Sequence, residues 1–267
     1  MTAILKEIAR GFQSTITDNM DPRSSDWLLV CSPLVPLSII AGYLLLIWQL
    51  GRYMAHREAW KIEPVIIVYN VLQVLACTYI FTMGVHMFIK LRYNLACQPV
   101  DKEINEENNT MARMVFAFYI IKIADLLDTV FFALRKKTSH VSFLHVYHHA
   151  GMVFVGYLAC TFSLNGHFTL IGVINSFVHM VMYTYYLMTL LDPDRKPGIT
   201  IKKSLTLLQL AQFCIVLVHS TLPLFQPTCQ VQKFWCALLI VQSIFMILLF
   251  SDFYIKAYST PLKEKTS

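Results

Sequence analysis

Phe118 to Lys137 reads FYIIKIADLLDTVFFALRKK, an apolar stretch that carries Lys122, Asp125 and Asp128 in its middle and closes on Arg135, Lys136 and Lys137. A charged side chain at the centre of a membrane helix costs about 2.5 to 3.5 kcal/mol on insertion scales, so three on one helix need a compensating arrangement or a function. Their spacing of three puts Lys122, Asp125 and Asp128 along one helical face, with Thr129 beside them, a spacing that allows a local Lys122–Asp125 ion pair. The bland alternative is a structural salt bridge facing a bundle interior.

That this helix lies in a membrane follows from the rest of the chain. Of 267 residues, 56% are hydrophobic and 14% charged, against about a quarter charged in an ordinary soluble domain. The mean hydropathy is +0.55, which leaves too little polar surface to coat a water-exposed fold. Seven apolar runs reach the roughly 20 residues that a membrane helix needs: Trp27–Leu50, Pro64–Phe88, Met114–Leu134, Val141–Phe162, Phe168–Leu191, Leu205–Phe225 and Phe234–Tyr254. Pro33 and Pro36 are expected to kink the first. The fold class is therefore an all-α membrane protein with seven transmembrane helices. It comprises an N-terminal segment, residues 1–26, without a signal-peptide core, a membrane domain over 27–256, and a tail over 257–267.

The positive-inside rule sets the orientation. With the N-terminus outside, thirteen Lys and Arg fall on the cytosolic side and eight on the other. Thus the N-terminus is expected to be lumenal and the C-terminus cytosolic. On that topology the sequon Asn108-Asn109-Thr110 lies in an outer loop, which makes Asn108 a glycosylation candidate. Cys97 and Cys229, the only cysteines outside the apolar runs, also lie in outer loops and form a disulfide candidate. Lys263 and Lys265 near the carboxyl end resemble a dilysine retrieval signal for the endoplasmic reticulum. Of the 22 Lys and Arg, Lys122 alone sits inside an apolar run.

Three more runs carry polar stripes. His145, His148 and His149 occupy positions i, i+3 and i+4; Asn175, His179, Met182, Tyr183 and Tyr186 share one face; Thr206, Gln209 and Gln212 recur every three residues. At about 1.5 Å rise per residue, Gln209 and His145 come about 6 Å from the cytosolic ends of their helices, Asp128, His148 and Gln212 about 9 to 11 Å, Asp125 about 14 Å, and Lys122 and His179 about 18 Å. Any one stripe could be interhelical glue. Four together predict a polar chamber reached from the cytosol, suited to an amphipathic substrate with a polar head.

Histidines in a membrane first suggest metal. Membrane di-iron enzymes, however, need about eight histidine ligands from several boxes, and this chain has nine histidines with one box, His145-Val146-Tyr147-His148-His149. A mononuclear site from His145, His149 and His179 would spread its ligands over about 6 to 18 Å of depth. Nucleophilic or acid–base histidine chemistry fits better, and no metal is expected. Cys160 lies about 18 Å along the helix from His148 and does not compete as a nucleophile.

Four blocks now carry a family resemblance: Phe118–Lys137; Ser142–His149, SFLHVYHH; Asn175–Tyr186, NSFVHMVMYTYY; and Leu205–Phe213, LTLLQLAQF. In type and order they resemble the signature blocks of the fatty-acid elongase (ELO) family. Asp125 stands where the family pattern K-x-x-E-x-x-D-T has glutamate, a carboxylate one methylene shorter.

The resemblance implies helices two to seven around a closed-ended acyl tunnel open to the cytosol, and the condensing step of fatty-acid elongation. Acyl-CoA and malonyl-CoA would give 3-oxoacyl-CoA, CO2 and CoA, with no cofactor. It implies His148 as acyl acceptor, with His179 facing it, and His145, His149 and Asn175 positioning imidazoles or stabilising oxyanion charge. Lys122, Asp125 and Asp128 would orient them, and Tyr183, Tyr186, Gln209 and Gln212 complete the polar chamber. Arg135, Lys136, Lys137, Lys202 and Lys203 are candidate ligands for CoA phosphates, although the positive-inside rule explains them equally well.

Expected partners are the two CoA substrates, membrane lipid, the reductases and dehydratase of the elongation cycle and a second copy as a homodimer, with no nucleic acid. The expected location is the endoplasmic reticulum membrane. Rival readings are a seven-helix receptor or transporter, a metal-dependent lipid oxidase, and a non-catalytic elongase-like binder. A receptor would place its ligand chamber on the outer side, and a transporter would show repeated halves or broken helices.

Overall fold

A computed structural model of the chain describes residues 20–192, 194 and 198–259. Arg195, Lys196, the dilysine pair Lys263 and Lys265, and most of the N-terminal segment lie outside the described residues. Within them the chain is helical with no strand: α1 Leu34–Met54, α2 Glu63–Lys90, α3 Glu106–Ala124, α4 Leu126–Leu134, α5 Phe143–Phe162, α6 Thr169–Leu191, α7 Ile199–Thr221 and α8 Lys233–Tyr254. Five stretches are long and apolar enough to cross a membrane: Leu34–Met54, Glu63–Lys90, Thr169–Leu191, Ile199–Phe225 and Lys233–Tyr258. Their exposed Leu45, Leu72, Leu75, Val241 and Leu248 suit lipid. This is a membrane protein. Length and apolarity alone thus identify five of the seven expected spans, because α3, α4 and α5 hold the buried charges and the histidine box.

Three expected boundaries are corrected. Pro33 and Pro36 start α1 instead of kinking it: Pro33 is the N-cap and Pro36 falls in the first turn, where backbone N–H groups have no intrahelical partner for proline to remove. The expected helix Met114–Leu134 is interrupted at Asp125, which closes α3 and opens α4. The N–H of Asp125 still donates to the Ile121 carbonyl at 2.8 Å, but that of Asp128 donates to the Asp125 carbonyl at 3.2 Å, one tighter turn in the ladder. Finally, α7 begins at Ile199 after the N-cap Gly198. This places Lys202 and Lys203 on a helix and not in a loop.

The described residues form two compact units. One contains α1, α3, α4 and α5 from His145 onward, around a core of Val30, Tyr43, Val115, Tyr119, Val153, Tyr157 and Cys160. Gly156 lets α5 approach α3: a Cβ there would meet the Tyr119 ring at 2.8 Å. The segment before α1 caps the far end of α5, where the last carbonyls have no helical partner. Ser24 Oγ donates to the Cys160 carbonyl at 2.7 Å and the Asp21 N–H to that of Thr161 at 2.8 Å.

Next to this cap a polar network joins three segments. Arg23 pairs with Asp21 at 2.7 Å. Asn165 Nδ2 donates to Asn108 Oδ1 at 2.8 Å and to the Asp101 carbonyl at 2.7 Å. Asn108 Nδ2, the atom that would carry a glycan, donates to Asp101 Oδ2 at 2.9 Å and the Glu103 carbonyl at 3.0 Å, and the residue is 3% exposed. Both amide hydrogens are engaged, so Asn108 is a structural residue of the folded chain.

The Asn108 amide and the Glu103 N–H hold the Asp101 carboxyl below its ordinary range. Its contribution to stability is present above the unfolded carboxylate pKa and is lost as pH falls through the lowered one. Asn108→Gln is expected to destabilise the protein by about 1 to 3 kcal/mol by orphaning these partners. Thr110→Ala, which removes the sequon and leaves the network in place, is expected to leave the melting temperature unchanged. Thermal unfolding in detergent compares the two, and equal shifts would contradict the structural role.

The second unit holds α2, α6 from Leu170 onward, α7 and α8. Gly84 of α2 packs directly on Val173 of α6, and Phe81 lies 5.2 Å from Phe177. Phe213 of α7 lies 5.1 Å from Phe250 of α8. Cys97 and Cys229 form a disulfide, Cα atoms 5.9 Å apart, tying the segment after α2 to the segment before α8.

Candidate active site

In the first unit, the break at Asp125 positions the charges. Lys122 Nζ donates to Asp125 Oδ2 at 2.7 Å, and both side chains are 2% exposed. Lys122 Nζ also lies 5.0 Å from the centre of the Phe118 ring. Each partner compensates the other's desolvation. Asp128 is half-buried, so the three-charge face divides into a sealed pair and a more accessible carboxylate.

One turn beyond Asp125, fully buried Thr129 reaches two helices. Its Oγ1 lies 2.8 Å from the Tyr43 hydroxyl of α1 and 2.9 Å from His145 Nε2 of α5. The His145 ring meets the edge of Phe132 at 5.4 Å and overlaps that of His149 at 4.1 Å. His149 in turn stands nearly perpendicular to His148 at 5.7 Å. The box thus forms a continuous run of imidazoles, of which His149 is buried and His145 and His148 are half-buried.

Among the basic candidates, Lys136 has another occupation. It adopts φ 54°, a left-handed conformation usually given to glycine. Its N–H donates to the Ala133 carbonyl at 3.1 Å, that of Lys137 donates to Phe132 at 2.8 Å, and together these close α4. Lys136 Nζ then donates to the Arg57 carbonyl at 2.9 Å and that of Ala55 at 3.4 Å, capping the end of α1. Arg135 is half-buried and Lys137 exposed.

In the second unit, Asn175, His179 and Tyr183 are buried on α6, and Tyr186 is half-buried. The rings of His179 and Tyr183 are 5.7 Å apart, and those of Tyr183 and Tyr186 6.1 Å. The Tyr183 hydroxyl lies 3.3 Å from that of Tyr69, which accepts a 2.9 Å bond from Gln73 Nε2. Gln209 Nε2 contacts Met182 Sδ at 3.0 Å. Three buried atoms of this unit, Asn70 Nδ2, Gln212 Oε1 and Ser220 Oγ, have no hydrogen-bond partner among the described residues. Orphans of this kind mark places where ordered water or a substrate completes the bonding. Lys202 is exposed near the start of α7, and Lys203 Nζ lies 6.0 Å from the centre of the Tyr258 ring. Among the described residues no three His, Cys, Asp or Glu side chains converge as a metal-ligand set.

Tyr43, Tyr69, Asn70 and Gln73 were absent from the sequence-based site. Each is a polar group inside an otherwise apolar run, the same signal that singled out Lys122, but one too common in membrane helices to select a residue without its partner.

A polytopic helical membrane protein whose buried Lys–Asp pair and histidine box share one helix cluster defines a narrow class. The profile of the ELO: GNS1/SUR4 family matches residues 28–266, and the chain belongs to that family. It is 36% identical to human very long chain fatty acid elongase 4, over 92% of this chain and 78% of that one. It is 35% identical to very long chain fatty acid elongase F of Drosophila melanogaster, over 88% and 93%. A very long chain fatty acid elongase of Aedes aegypti is also 35% identical, over 92% and 69%.

Proposed function

We propose that the protein is a condensing enzyme of very-long-chain fatty-acid elongation, which joins a long-chain acyl-CoA to malonyl-CoA and releases CO2, CoA and 3-oxoacyl-CoA. Family membership supports the elongation role. The observation that carries the chemistry is the imidazole run His145–His149–His148, half-buried at one end and anchored at the other on Thr129. Neutral imidazole is a competent nucleophile, and the cysteine on the same helix does not compete: Cys160 is fully buried, with its thiol directed at the Val115 carbonyl.

In the proposed route a neutral His148 ring nitrogen attacks the acyl thioester carbonyl. The C–S bond breaks, an acyl-imidazole forms, and CoA leaves as the thiol with the proton released from the ring. Malonyl-CoA then loses CO2, and the enolate carbon so formed attacks the acyl carbonyl. The C–N bond breaks, the departing imidazolate takes a proton from solvent, and neutral His148 is regenerated. His145 and His149 supply donors for the oxyanion charge of both additions. The Lys122–Asp125 pair and Asp128 hold the helix that carries Thr129, and a closed-ended tunnel within seven spans, open to the cytosol, would take the acyl tail. The enzyme would reside in the endoplasmic reticulum membrane beside the reductases and dehydratase that process its product.

Lys202 and Lys203 sit near the N-terminus of α7, where the helix dipole disfavours cations and favours an anion. That placement supports a CoA phosphate contact there; on the other unit Arg135 and Lys137 are separate candidates, while Lys136 is the clamp on α1. Lys202→Glu/Lys203→Glu is expected to raise KM for CoA substrates by about tenfold or more with kcat little changed. An unchanged KM would leave these lysines a topological role only. The reaction itself is tested by supplying purified protein with labelled malonyl-CoA and a panel of acyl-CoAs. Label in 3-oxoacyl-CoA is expected, and none with any acyl-CoA would sink the proposal.

A further inference from the structure

The proton count in the Tyr43–Thr129–His145 triad fixes the chemical form of His145. Thr129 has one hydroxyl proton, and its oxygen lies within hydrogen-bond distance of both the Tyr43 hydroxyl and His145 Nε2. Its oxygen could accept from both only by leaving its own proton without an acceptor, and Thr129 is fully buried with no third partner among the described residues, so it donates to one neighbour and accepts from the other. If Thr129 donated to Tyr43, the Tyr43 proton would need a second acceptor. Tyr43 is 4% exposed, and its hydroxyl meets only Thr129 among the described residues. A buried donor without an acceptor is costly, the more so where no water can replace it. The satisfied arrangement runs one way: Tyr43 donates to Thr129, Thr129 donates to His145 Nε2, and Nε2 is the unprotonated nitrogen.

We infer that Tyr43 and Thr129 are positioning residues that hold neutral His145 in the tautomer protonated on Nδ1, so that His145 enters the reaction as a hydrogen-bond donor and not as a base. The functional half of this inference rests on the condensation reading. A neutral donor can stabilise an oxyanion without adding a charge to a membrane-embedded site. Holding Nε2 from α4 also fixes the ring plane against His149 and Phe132, so that the orientation of the imidazole run is set from α1 and α4. None of the signature blocks contains Tyr43, which lies 86 residues from Thr129 in sequence.

The test compares wild type with Tyr43→Phe, Thr129→Val and Thr129→Ser. All three nearly conserve volume, and Ser retains the hydroxyl. The imidazole carbon and nitrogen shifts of histidine-labelled protein in detergent, with the His145 signal assigned by its loss in His145→Gln, read the tautomer directly. Wild type and Thr129→Ser are expected to give the Nδ1–H signature and Thr129→Val to lose it. In the elongation assay Thr129→Val should lower kcat about tenfold or more with KM unchanged, Tyr43→Phe less, and Thr129→Ser least. An Nε2–H signature in wild type overturns the inference whether or not the chain turns over. So does an active wild type whose kcat survives Thr129→Val. If the Nδ1–H signature is present and depends on Thr129 while no elongation is detected, the tautomer assignment stands and the condensation reading is what fails.

Discussion

Lys122→Met is expected to be the most damaging single substitution for stability in α3. Asp125 would remain 2% exposed with its 2.7 Å partner gone. Removing one member of a buried ion pair costs about 3 to 5 kcal/mol, because the surviving charge is left uncompensated. That is a large share of the total stability of most domains. Asp125→Leu alone should do similar harm. The double substitution Lys122→Met/Asp125→Leu should recover most of the loss, since a buried pair exchanged for apolar groups of similar volume is often neutral. Thermal unfolding in detergent measures all three. If Lys122→Met melts with wild type, the pair is not the buried unit described above. A recovered double variant also separates stability from function: it should fold, yet elongate poorly if the pair aligns Thr129 and the histidine box.

His148→Ala is expected to produce the largest catalytic effect, at least about 10³-fold in kcat, because it removes the proposed nucleophile and not merely a positioning group. The melting temperature should change little, since the half-buried side chain is not part of the packed core. His145→Ala should be intermediate, and His149→Ala should combine a catalytic loss with a stability loss because His149 is buried between two rings. A His148→Ala protein that condenses at the wild-type rate would remove the acyl-histidine route.

How much of this was legible in sequence varies with how local the determining interaction is. The Lys122–Asp125 pair was readable because its members are three residues apart on one helix and neither tolerates an apolar environment alone. The apolar runs placed α2, α5, α6 and α8 to within two residues of their observed ends. Four features depend on something a linear reading does not see. Pro33 and Pro36 differ in effect by whether a helix has already begun. Lys202 and Lys203 lie ahead of the apolar run Leu205–Phe225, and only the cap at Gly198 brings them into α7. Asn108 matches a sequon, but its amide is consumed by Asp101, Glu103 and the distant Asn165. Tyr43 is an unremarked tyrosine in an apolar helix whose role appears only when the chain brings it to Thr129. The residues that would do chemistry were visible as a motif, whereas those that hold them in place belong to tertiary structure.

The proposed reaction turns on an acyl group carried by His148. Purified protein incubated with acyl-CoA alone, then digested and mapped by mass spectrometry, tests it most directly. One acyl increment on the His148 side chain, discharged when malonyl-CoA is added and absent in His148→Ala, is the predicted result. An adduct on another residue, or none while the same preparation continues to make 3-oxoacyl-CoA, would contradict it.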